Sequence, residues 1–215
     1  MADSHLALRR CLKEPIPEIF EAASLLSEAV DAHRAGDRLR ADRLIREADM
    51  PAIGDWVLPL VWINKTKLAD IRFREVSGAP VILAKPDRVP VRMPTAAQKA
   101  ELIALYGYNC AFCGIPLVAA KVRKALTAAY PEAARWNSRG DPQCHMALLS
   151  MWLQFDHVLP HSRGGDNLLS NVVVTCAGCN YGRMAYTLEE VGVRDPRLTP
   201  PTKTAWDGLQ RLLLP

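Results

Sequence analysis

The stretch QFDHVLPHSRGGDNLLSNVVVTCAGCN, from Gln154 to Asn180, sets the reading of the whole chain. It places Asp156-His157, the pair Gly164-Gly165, Asn171 and a Cys-x-x-Cys ending in Asn180 within one short span. A hydrophobic core has no use for that combination. A site that holds a metal ion and a phosphate does, because it needs an imidazole, hard oxygen donors and a tight turn close together. Gly164-Gly165 suits a turn after the strand that bears His157. Val172-Val173-Val174 reads as a second strand, and the last cysteine pair opens a helix with Asn180 in its first turn.

Outward from this stretch, Cys176/Cys179 has a counterpart in Cys110/Cys113. Each Cys-x-x-Cys presents two thiolates from a tight knuckle, and two knuckles complete a tetrahedral structural Zn²⁺ site. The N-terminus carries charged residues where a secretory signal needs an apolar run, so the expected compartment is the reducing cytoplasm, where metal is favoured over disulfide. Residues 114–155 between the knuckles must then fold as an inserted helical segment. Cys11 and the Cys144-His145 pair are read as ordinary packing or surface.

The chain has 215 residues, 49% hydrophobic and 23% charged, with a net charge of +4. That composition fits a globular fold and contains no apolar run long enough to span a membrane. The mildly basic balance permits a polyanionic partner without establishing one.

Residues 1–79 form a helical N-terminal region. Ile19, Ala22, Ala23, Leu26, Ala29 and Val30 recur at helical spacing, as do Leu39, Leu44, Ile45 and Ala48, with a break at Ala35-Gly36-Asp37. Trp56, Trp62 and Phe73 are expected to pack this hairpin onto the C-terminal part of the chain. Residues 80–94, with Pro80, Pro86, Pro90 and Pro94, are a connection containing a short strand at 81–83 and marking the domain boundary. Thr95 and Gln98 make a capping box for a helix through Tyr106. Within 114–155, helices are expected around Lys121–Tyr130 and His145–Leu153. A last helix from Thr204, in the tail 191–215, carries Trp206, Leu209 and Leu212.

The ordered set Cys-x-x-Cys, Asp-His, Pro, Gly-Gly, Asn, Cys-x-x-Cys-Asn resembles the HNH endonuclease family, over roughly residues 100–185. The resemblance implies an α+β fold in which a ββα-metal nuclease core (residues 95–190) is braced by the cysteine-bound zinc. It implies hydrolysis of DNA phosphodiester bonds to 5′-phosphate and 3′-hydroxyl ends, with His157 as general base and Asn171 holding the imidazole through its side-chain carbonyl. Asp156 and Asn180 would bind a catalytic Mg²⁺ or Mn²⁺, and Arg183 and Arg163 would contact the nucleic acid. His161 has no fixed role in the pattern. Two features depart from the usual form. Asn180 stands where the family more often has His, which favours hard Mg²⁺ or Mn²⁺. Asp156 and His157 are also neighbours, which a regular strand points to opposite faces. The rival expectations are an RNA-cleaving toxin on the same scaffold and a non-catalytic, zinc-dependent nucleic-acid-binding module. A homodimer or a partner protein would engage the N-terminal helices, and restriction, phage defence or mobile elements are the roles that the resemblance implies.

Overall fold

A computed structural model describes residues 8–61, 73–137 and 143–214. Helices α1 (Pro17–Arg34) and α2 (Arg38–Glu47) form the expected hairpin. Gly36 turns the chain at φ +83° and the Asp37 side chain caps α2 by accepting from Arg40 N. Helix α3 (Pro51–Val61) follows, and its Trp56 is buried with Nε1 donating to the Glu14 carbonyl at 2.7 Å. Trp62 lies outside the described residues.

Helix α4 (Ala96–Tyr106) has the expected Thr95/Gln98 capping box and ends at Gly107. Helices α5 (Ala120–Ala129) and α6 (Met146–Ser150) occupy the segment between the knuckles. Strands β1 (Leu153–His157) and β2 (Val172–Cys176) pair antiparallel, with His157 opposite Val172 and Leu153 opposite Cys176. Helix α7 (Ala177–Arg183) starts directly from β2, capped by Cys176, whose sulfur accepts from Cys179 N. The mixture of helices with one two-stranded antiparallel sheet is the expected fold class.

Two local expectations are corrected. Residues 81–83 form no strand: Leu83 N donates instead to the Ser162 carbonyl, so the connection is pinned to the loop after β1 by an isolated contact. The tail from Thr204 makes only a short 3₁₀ turn at Gln210–Leu213, because Leu209 sits at φ +60° and interrupts any longer helix.

The buried apolar cluster runs without a break from α1–α3 into α4–α7 and both strands. Helices α3 and α7 lie so close that a Cβ added at Gly178 would come within 3.2 Å of the Trp56 ring and 3.1 Å of Leu60. No helix among the described residues is long and apolar enough to cross a membrane.

Candidate active site and metal centre

Cys110, Cys113, Cys176 and Cys179 are all buried, and their sulfurs lie within 4.8 Å of one another. Cys113 and Cys176 are 3.7 Å apart, close to the ~3.8 Å edge of a tetrahedron with metal–sulfur bonds of about 2.3 Å. Burial alone would raise the Cys110 thiol. Hydrogen bonds from Cys113, Cys176, Cys179 and Thr175 outweigh it and hold the group well below its ordinary value. Such a dry sulfur cluster fits a metal ion such as zinc. Cys11 is separate and ordinary: burial pushes its thiol up. The reading of Cys144-His145 as packing also matches the structure. His145 caps α6, and its Nε2 donates to the Ile45 carbonyl at 2.8 Å.

Strand β1 ends at His157, and the chain turns back through Pro160 to β2. Gly164 takes φ +91° in this turn. Gly165 is required by close packing within the turn: a Cβ there would sit 1.8 Å from the Leu159 carbonyl oxygen.

The turn forms one wall of a cleft of about 650 Å³ lined by Asp156, His157, His161, Asn180 and Tyr181. Asp156 and His157 both line it although they are sequence neighbours, as do Gln154 and Phe155 before them, so the cleft runs along the end of β1 rather than over one face of it. The proline-rich connection lines it as well, with Lys85, Arg88 and Arg92 on the cleft. The segment that reads in sequence as a boundary is thus part of the site.

Burial pushes the His157 imidazole below its ordinary value, while its bond to Asn167 and the Asp156 charge act the other way. Such a ring stays neutral at neutral pH and can accept a proton.

The partner that holds this ring is not the expected one. His157 Nε2 meets Asn167 Oδ1 at 2.8 Å. Asn171 instead ties the turn together: its Oδ1 accepts from Leu159 N at 2.9 Å, and its Nδ2 donates to the Asp166 and Leu159 carbonyls. Its amide is directed at backbone on both sides, and it makes no bond to the imidazole. Asn167 is present in the quoted stretch, but nothing in the sequence assigns it a partner.

Both arginines expected at nucleic acid are also committed elsewhere. Arg183 is 2% exposed and donates to Asp156 Oδ2 (2.6 Å) and to the carbonyls of His157, Val158 and Tyr186. Arg163 donates to the carbonyls of Ala185 and Pro80 and pairs with Glu190 at 3.0 Å. Neither guanidinium is free to meet a phosphate. Lys85 and Arg92 have no partner among the described residues and are exposed.

A catalytic divalent ion requires hard oxygens with free lone pairs. The Asn180 side-chain amide has no partner among the described residues, and Asp156 Oδ1 is free of the Arg183 bonds, which all go to Oδ2. The donor set therefore fits such an ion. The Arg183 charge cancels that of the carboxylate, so the protein alone offers little net negative charge to attract it.

Among known families, a model described as HNH endonuclease matches residues 143–192, spanning the Asp-His pair, the glycine turn and the second cysteine pair. No curated protein and no solved structure matches the chain.

Proposed function

From an HNH endonuclease-family segment at residues 143–192, we propose that the protein is a metal-dependent endonuclease that hydrolyses phosphodiester bonds of DNA. One observation carries the reading: the imidazole of His157 and the oxygens of Asp156 and Asn180 line a single cleft beside four clustered cysteines.

In this reading His157 takes a proton from the water that attacks phosphorus; an O–H bond of water breaks and an N–H bond on the ring forms. Asp156 and Asn180 would hold Mg²⁺ or Mn²⁺, which when bound supplies positive charge to the phosphate oxygens and to the departing oxygen. Lys85 and Arg92 attract the polyanionic strand to the cleft mouth. The cysteine-bound ion, assigned as zinc, takes no part in the chemistry. Cys110, Cys113, Cys176 and Cys179 would hold it, and so brace the start of α7, the helix that presents Asn180.

The test is a cleavage assay on plasmid DNA and on RNA side by side, with Mg²⁺, Mn²⁺ and chelator. We expect DNA cleavage that requires added ion, and a fall of roughly 10²–10⁴ in His157→Ala with the fold intact. Cleavage of RNA alone would favour the toxin reading, and binding without cleavage the silent module. Full activity in His157→Ala would overturn the mechanism.

A further inference from the structure

Asn167 stands between His157 and the proline-rich connection. Its Oδ1 faces His157 Nε2 at 2.8 Å, and its Nδ2 donates to the Val91 carbonyl at 2.5 Å. A backbone carbonyl only accepts, so it must face the amide nitrogen. That leaves Oδ1 towards the imidazole, and Oδ1 also only accepts. The proton of the neutral His157 ring therefore sits on Nε2, and the Nδ1 lone pair is bare.

The same logic applies on the other side of Pro90. The Val89 carbonyl meets His161 Nε2 at 2.7 Å, so His161 also carries its proton on Nε2. The two rings are 5.8 Å apart, both on the cleft. The residues between are braced: Gln98 Nε2 donates to the Asn167 carbonyl at 3.1 Å, and Leu83 N holds the Ser162 carbonyl at 2.8 Å. Gln98 thus serves both the cap of α4 and the site. Pro90, with φ fixed by its ring, separates the two carbonyls.

We propose that Asn167 and the carbonyls of Val89 and Val91 form a positioning device that fixes which nitrogen of each cleft histidine carries the proton, and that Asn167 is the positioning residue for His157 in cleavage. Its catalytic consequence rests on the nuclease reading; the tautomers do not. Val89 and Val91 lie outside the segment that matches the family, so the device is built from this chain's own N-terminal connection. When His157 accepts the proton from water on Nδ1, the Nε2–H bond to Asn167 stays in place, and the ring need not turn to do its work.

Long-range ¹H–¹⁵N spectra of the full chain, loaded with metal, distinguish a protonated ring nitrogen from a bare one. At a pH where the rings are neutral, we expect a protonated Nε2 and a bare Nδ1 for both His157 and His161. Asn167→Ala should release His157 into a mixture of tautomers and leave His161 unchanged. It should lower kcat about 10–100-fold while KM for DNA moves less than about twofold, the size of effect seen when an orienting partner is lost. Asn167→Asp keeps an acceptor for Nε2–H but sets an oxygen against the Val91 carbonyl, so it should keep His157 protonated on Nε2 while releasing the connection at Val91.

A wild-type His157 protonated on Nδ1, or an Asn167→Ala spectrum identical to wild type, would overturn the device. If Asn167→Ala loses cleavage with an unchanged ring signature, the nuclease reading stands and the device does not. If the signatures behave as expected but no nucleic acid is cleaved, the tautomer assignment stands and the nuclease reading fails.

Discussion

Arg183 Nη2 lies 2.6 Å from Asp156 Oδ2, a buried ion pair that fastens α7 to the end of β1. Removing the cation strands a carboxylate in the interior. Arg183→Ala is expected to destabilise the fold by about 3–5 kcal/mol, read from urea unfolding monitored by tryptophan fluorescence. Its effect on nucleic-acid affinity should be no larger than its effect on the folded fraction. An unfolding midpoint equal to wild type would contradict this account of the pair.

Charge cancellation at that pair bears on the order of binding. With Asp156 neutralised by Arg183, Mg²⁺ or Mn²⁺ should bind weakly to the protein alone and at least about tenfold more tightly once a phosphate joins the coordination. Calorimetric titration of His157→Ala with Mn²⁺, with and without a DNA oligonucleotide, measures the difference. Equal affinities would show that the protein supplies the whole site.

The cysteine cluster predicts a stoichiometry. One zinc per chain should be found by elemental analysis, and Cys179→Ser should lose it together with cooperative unfolding. Removal of zinc by a strong chelator should abolish cleavage in a way that Mg²⁺ alone does not restore. A metal-free protein with an unchanged melting curve would rule out the structural role.

His145 gives a pH dependence. Burial holds its imidazole below the ordinary value, and the ring fits as a neutral group: Nε2–H donates to the Ile45 carbonyl while Nδ1 accepts from Leu148 N. The depressed folded value means that its contribution is fully present above about pH 6.5, the unfolded value. It is lost as pH falls through the folded value, because the unfolded chain takes up the proton first. His145→Asn, which keeps a helix-capping residue, should flatten the loss of stability between neutral and acid pH in thermal melts across a pH series.

The exposed cations of the connection predict a salt effect. Lys85→Ala with Arg92→Ala should weaken DNA binding uniformly across sequences and reduce the slope of log affinity against log salt by about 2. An unchanged slope would move the phosphate path away from this wall.

Much of the fold was legible because local chemistry dictates it. The α1–α2 hairpin follows from apolar spacing around a glycine, and α4 from its capping box. The β1–turn–β2–α7 unit follows from Gly164, the valine run and Cys176 at the helix cap. The bracketing of the cleft by Asp156, His157 and Asn180 was legible from a familiar order of residues. What could not be read was pairing across the chain. Which of two asparagines faces an imidazole depends on the path of backbone carbonyls 76 positions away, between Val91 and Asn167, and carbonyls leave no mark in a sequence. Arg163 and Arg183 look like surface cations for the same reason: the acceptors that bury them lie on other segments.

The contact of Gly178 and Gly182 with Trp56 and Leu60 decides how this protein can be dissected. The ββα unit has no back of its own, since the N-terminal helices furnish it. A fragment trimmed to the segment that matches the family would present a bare apolar helix to solvent and collapse onto its copies. Any minimal version must therefore keep α3 or replace it with an equally flat, equally close neighbour.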